Sequence, residues 1–339
     1  MSKRTTWLAG VATIAFLAVG YLAYRYAQSR GKEPVPELLD FMPPESSTVV
    51  YVDLAALRQS PFLEELRALA PSPEADREYA EFVRETGFDY TRDLDRVAVA
   101  MIVRDKESSV FAVADGRFDR NKIKEFALKT GKRETVDGRE AYSTLVSGRP
   151  KRMTLAFLEN NRIALTDGPD LAGYLAPQKQ DPARAPWRER FTRLAGSPVF
   201  AASRINSESA AMASRAAGSL RSDQLASLVA SLRWGTLAAR PDGDHLRVVA
   251  EGECTGEESA RQLSGVVSGL VLIARAGLTD PKTQRQVAPE AIAAMDELLK
   301  SVDVSRMDRG ETKAVRVLID VTPRLLQAMR PMNTQPSAK

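Results

Sequence analysis

Apolar positions along the chain follow three patterns, and each predicts a different structure. The first is unbroken: Trp7 to Tyr24 holds 18 residues without a charge. As a helix rising about 1.5 Å per residue, this stretch reaches about 27 Å, close to the hydrocarbon thickness of a bilayer. The second pattern is short β-branched or aromatic runs, and the third is apolar spacing at i, i+3 and i+4. Those two alternate from residue 37 to about residue 330, which is the signature of an α+β protein behind one membrane-spanning helix.

The membrane-spanning reading rests on the ends of the first segment as well as its length. Trp7 at one edge and Tyr21 and Tyr24 at the other suit headgroup depth, with Leu8, Ile14, Phe16, Leu17 and Leu22 inside the span. Lys3 and Arg4 flank one side, and Arg25, Arg30 and Lys32 the other. The division that follows is a cytoplasmic tail over 1–6, a transmembrane anchor over 7–24 and a linker over 25–36, where Pro34 and Pro36 favour extended backbone. The alternative is an export signal cut after Gly20. Against cleavage, the apolar run continues through Tyr21–Tyr24, and a bulky tyrosine would follow the cut. Both flanks are basic, so charge counting does not orient the helix. A six-residue tail before the span and a large body after it favour an extracytoplasmic bulk, periplasmic in a Gram-negative cell.

Beyond the linker, Ser47–Leu54 reads as a buried strand, followed by a helix through Leu69 that Asp53 caps. A polar helix over Asp76–Thr86 stops at Gly87. Arg96–Val103 and Ser109–Ala114 form a hairpin, and Asp119 caps a helix carrying Ile123, Phe126 and Ala127 on one face. Strands follow at Glu140–Val146, Met153–Leu158 and Arg162–Thr166, then a short helix to Ala176. Three prolines between 177 and 186 suggest a boundary. The order then recurs: a strand at Pro198–Ala202, a mainly helical stretch over Ser207–Leu232, a hairpin of Gly235–Ala239 with Leu246–Glu251, helices at Glu257–Ala276 and Pro289–Ser301, and strands at Val302–Ser305 and Lys313–Val321.

Ala112-Val113-Ala114-Asp115-Gly116 and Val248-Val249-Ala250-Glu251-Gly252 lie 136 residues apart, each after a strand pair and before a helix. They suggest a divergent duplication. The fold expected is therefore two similar domains of antiparallel sheet with helices on one face, over 37–176 and 196–330, joined by a linker at 177–195 and ending in a disordered tail at 331–339.

One stretch carries a resemblance. Phe41-Met42-Pro43-Pro44-Glu45-Ser46-Ser47-Thr48-Val49-Val50-Tyr51-Val52-Asp53-Leu54, with Gly87-Phe88-Asp89 and Asp93-Leu94-Asp95-Arg96-Val97 after it, resembles bacterial membrane-anchored proteins of unknown function. The resemblance spans residues 41–175. It implies a bacterial origin and an extracytoplasmic α+β domain, and it brings no catalytic residues.

Charge removes one class of partner. The formal net charge is +4, but five basic residues and no acidic one lie in residues 1–32. With those five set aside, the 48 basic side chains fall to 43 against 44 acidic ones. A nearly neutral body has little counterion release to drive phosphate-backbone binding, so no nucleic-acid partner is expected.

Chemistry is sparse. There is one histidine, His245, beside a hairpin turn, and one cysteine, Cys254, so disulfides and Cys/His zinc sites are excluded by count. No phosphate-cradling glycine motif occurs. Asp93/Asp95 and Asp242/Asp244 read as charged turns rather than metal ligands, and Ser29/Lys32 lies in the linker. No catalytic, cofactor-binding or metal residues are expected, and no cofactor. Gly265–Gly269 lies in an apolar helix, Leu263–Ala274, too short to cross a membrane and suited to packing on a sheet or bordering an apolar groove. Trp187–Leu194 reads as a basic-faced helix.

The function expected from these features is non-enzymatic: a membrane-anchored envelope protein whose ectodomain binds a protein partner or scaffolds an assembly. The alternatives are a lipid or hydrophobic-ligand binding module and, behind it, a carboxylate-dependent hydrolase or transferase. The last requires two carboxylates converging in a pocket with at least one strongly perturbed.

Overall fold

A computed structural model describes residues 34–60, 77–104, 107–145, 151–159, 161–206 and 229–328. The expected anchor, Trp7–Tyr24, and the expected tail at 331–339 lie outside the described residues. No described helix is long and apolar enough to cross a membrane.

Twelve strands form one antiparallel sheet. They are β1 Thr48–Asp53, β2 Leu94–Arg104, β3 Glu107–Gly116, β4 Gly131–Val136, β5 Arg139–Leu145, β6 Arg152–Glu159, β7 Arg162–Thr166, β8 Val199–Arg204, β9 Leu232–Asp242, β10 His245–Cys254, β11 Asp303–Arg309 and β12 Thr312–Val321. The described helices are α1 Leu54–Leu57, α2 Arg77–Thr86, α3 Tyr90–Asp93, α4 Arg120–Thr130, α5 Ala185–Leu194, α6 Glu257–Leu278, α7 Pro281–Gln286, α8 Pro289–Ser301 and α9 Pro323–Ala328. Asp53 and Asp119 cap as the sequence predicts, accepting from the N–H of Ala56 and Lys122.

The sheet order is β11-β12-β10-β9-β8-β1-β2-β3-β7-β6-β5-β4. Strand β1 pairs with β8 from Thr48↔Ser203 to Val52↔Val199, so the two expected sheets are one. Outward from this seam the halves read β1-β2-β3-β7-β6 and β8-β9-β10-β12-β11, with β4-β5 an added hairpin in the first. The seam is closed by matching bonds, Asp53 N–H to Pro198 O at 2.6 Å and Arg204 N–H to Ser47 O at 2.8 Å.

The stretch 177–195, expected as a linker, is built into the core instead. Its prolines shape a short 3-10 turn and the first turn of α5, where a missing N–H costs nothing. Helix α5 buries Trp187, Phe191 and Leu194 on the sheet, where Phe191 meets Phe200 and Trp187 meets Trp234 edge-on at 4.8 Å. Buried Arg184 donates to the carbonyls of Leu39, Asp40 and Gln178, fastening the 3-10 turn Glu37–Phe41 to this segment. The main core lies on this face and runs unbroken through both halves, from Phe111 and Val113 through Val49 and Tyr51 to Phe200 and Trp187. Tyr51 stacks on Phe200 across the seam at 5.0 Å between centroids.

Helices occupy both faces rather than one. While α5 covers Phe200 and Trp234, α6 sits over Gly235, Leu237 and Gly252, which point the opposite way along their strands. Helix α4 lies on the same side as α6, with Lys124 over the rings of Tyr142 and Phe157.

Candidate functional site

Register assembles a charge ladder that linear sequence scatters. Asp53 faces Arg96, Arg96 faces Asp115, Asp115 faces Arg162 and Arg162 faces Glu159, so one row across five strands alternates in sign. Arg162 donates from Nε to Asp115 at 2.6 Å, and Arg96 donates to the other Asp115 oxygen at 2.7 Å. Asp53, Asp95, Asp115 and Glu159 line a polar cleft of about 870 Å³. Each ladder carboxylate there faces a guanidinium, and Asp95 is held by Arg58 at 2.5 Å and Arg117 at 3.3 Å.

In the second half the acids are deeper. Glu251 and Glu253 are buried, with Glu253 taken by Arg190 and Arg193, and Glu251 by Arg309 and Arg316. Burial pulls the Glu251 carboxyl up, but hydrogen bonds from Arg309 and the charges of Arg309, Arg193 and Arg316 override it and hold the group below its usual range. Glu251 is thus held charged in a cationic cage, the reverse of a protonated acid, and Glu253 is paired within the same cage.

The paired aspartates of the sequence are likewise spent. Asp93 is held at 2.6 Å by Arg92, and that bond, against partial burial and with Asp89 N–H and Arg117 helping, pulls it down to about 2. Asp242 pairs with Arg247 at 2.6 Å, and exposed Asp244 accepts from His245. His245 stands at the start of β10, 3.9 Å from Asp320, and among the described residues no cysteine or serine bonds to its ring. Cys254 ends β10, buried, and burial raises its thiol. Among the described residues no three metal-ligating side chains cluster.

Another concave feature is apolar. Between α6 and the sheet lies a groove of about 370 Å³, with Leu263 and Val267 above and Gly235, Leu237, Gly252 and Val315 below. Helix α6 is apolar on two sides. Leu263 and Val267 turn toward the sheet, while Val266, Leu270, Leu272 and Ile273 face solvent, the last two 69% exposed. A Cβ built on Gly265 or Gly269 would meet nothing within 4 Å, so among the described residues none packs against that side of the helix.

No protein-family profile and no curated protein matches the chain. Among solved structures, three crystal forms of a protein titled TP0453 are similar to it. Forms III and I give a TM-score of 0.46 at 10% and 9% identity, and form IV gives 0.45 at 9%. Each comparison covers 88% of this chain and 98% of that one. At these values the likeness carries no argument about function or descent.

The sequence pointed to the apolar helix but missed both the ladder and the acid cage. Their members are spread over more than 100 residues and meet only through strand register. Trp187, Arg190 and Arg193 were legible as one basic-aromatic helix face, but not as the side that closes over Glu253.

Proposed function

We propose that this chain is a non-enzymatic binding module of the bacterial envelope, tethered by Trp7–Tyr24, whose second half holds an apolar ligand such as an acyl chain between α6 and the sheet. The groove carries this reading: it is lined almost wholly by carbon, and its volume falls in the range of small-ligand sites. The pairing of Asp115, Glu251 and Glu253 with arginines supports the same reading. Gly235 and Gly252 keep the floor low. A fluorescent polyene fatty acid added to the full-length protein should brighten saturably, and Gly235→Val, which fills the groove from a strand position free of backbone clash, should abolish that signal. Equal brightening in both proteins would sink the reading.

A protein partner or scaffold role is favoured by a separate observation, the exposed outer stripe of α6 with open space at Gly265 and Gly269. A photo-crosslinker at position 273 should then give a discrete protein adduct in intact membranes, absent from a control at exposed Arg285. Identical adducts at both positions would refute it.

The halves are read as a divergent duplication. Their strand orders match, and the sequence pair at 112–116 and 248–252 falls on the corresponding strands β3 and β10. Asp115 faces Arg162 on β7, as Glu251 faces Arg316 on β12.

A further inference from the structure

Arg204 ends β8 and faces Trp234 on β9. Its guanidinium carbon lies 5.1 Å from the ring centroid of Trp187 and 5.3 Å from that of Trp234. The neighbouring cation Arg190, 3.9 Å from the centroid of Trp234, is neutralised by Glu253. Arg204 has no such partner. Its backbone N–H bonds to Ser47 O, but no acceptor meets its side chain among the described residues. Glu45, whose charge reaches it, is held by Arg104 and Tyr174. Burial and the charge of Arg190 both push Arg204 down, as befits a cation short of compensation.

The opposite end of the seam shows what is missing. Asp53 and Arg204 make the matching backbone bonds that close β1 on β8. Asp53 then faces Arg96, the first step of a row of three acids and two guanidiniums in which each guanidinium lies between two carboxylates. Arg204 faces an indole, and the next residue in its row, Glu253, is already taken by Arg190 and Arg193. Both guanidiniums of the first half's row thus face carboxylates, while Arg204 in the second faces an indole.

We propose that Arg204, walled by Trp187 and Trp234, is a binding site for an oxyanion, the carboxylate or phosphate group of a small molecule. The two ring centroids are 4.8 Å apart, so both indoles back the guanidinium from one side, and its N–H groups, which meet no acceptor among the described residues, form a fork matched to two oxygens. The aromatic walls lower the local polarity and strengthen such a pair relative to one in open water.

The chain's three tryptophans are Trp7, Trp187 and Trp234, so two of the three wall the site. In full-length Trp7→Phe protein, indole emission is followed while acetate or inorganic phosphate is added, with chloride at matched ionic strength as control. The expected result is a saturable change with acetate, phosphate or both, and none with chloride. The anion that saturates identifies the oxyanion. Arg204→Gln should remove the response, and Arg204→Lys, which keeps the charge but not the fork, should weaken binding roughly tenfold. A response equal to that of chloride, or one surviving in Arg204→Gln, overturns the proposal. If Arg204→Gln does not fold by circular dichroism, Arg204→Lys decides, and unchanged affinity in it overturns the proposal.

Discussion

At the scale of single residues, charge is arranged to hold the fold. Glu253 and Arg190 are both nearly solvent-free, with side chains 4% and 8% exposed. Removing one member of such a pair leaves the other buried and uncompensated. Glu253→Ala should therefore lose about 3 kcal/mol in urea denaturation, while the double change Glu253→Met with Arg190→Met should lose far less, because neither charge remains to be solvated. Asp93 makes the matching case for pH. Its folded-state carboxyl sits at about 2, below the unfolded value of roughly 3.9. Its contribution is thus complete above about pH 4 and is lost as pH falls toward 2. Arg92 and Arg117 are largely solvated, so screening keeps the contribution to about 1 kcal/mol. Asp93→Asn should lower stability at neutral pH by that amount and flatten the decline between pH 4 and 2, as read by denaturation at stepped pH.

At the scale of elements, caps and punctuation were legible and edges were not. Asp53, Asp119, Gly87 and the hairpin at 94–116 follow from local rules, because a capping carboxylate or a positive-φ glycine acts within a few residues of itself. Strand β4 escaped notice because Gly-Lys-Arg-Glu-Thr-Val has no apolar alternation. Its charge suits the outermost position it occupies, where an unpaired edge invites association. Its first residue is a junction under constraint: a Cβ on Gly131 would strike the Ser143 carbonyl and lie 2.7 Å from the Ala127 carbonyl. Backbone cannot yield as a side-chain tip can, so Gly131→Ala should destabilise by about 2 kcal/mol or more and free the end of α4. Hydrogen exchange at 124–130 should report that release, and unchanged protection there would contradict it.

At the scale of the whole molecule, the seam decides behaviour. The core joins Val49 and Phe111 to Trp187 and Phe200, so neither half owns a closed apolar interior. The described body should unfold in one transition, with tryptophan emission from Trp187 and Trp234 and far-UV circular dichroism from all strands coinciding. Two separated transitions would show that the halves fold independently. The recurrence of elements suggested two domains because local patterns repeat in each half. It could not show that β1 and β8 are each other's missing neighbour, since pairing 155 residues apart leaves no local trace.

What the sequence by itself determined is what acts over a few residues. The 18-residue uncharged span, the strand and helix periods, the caps and the lack of histidine and cysteine sets are all of this kind. Tertiary structure alone decided the single sheet, the inclusion of 177–195 in the core, and the neutralisation of Asp115, Glu251 and Glu253 by arginines on other strands and helices. It also decided that Arg204 faces an indole and pairs with no acid among the described residues. Charge compensation depends on distance in space, and in a sheet that distance is set by register, which a one-residue slip would reverse.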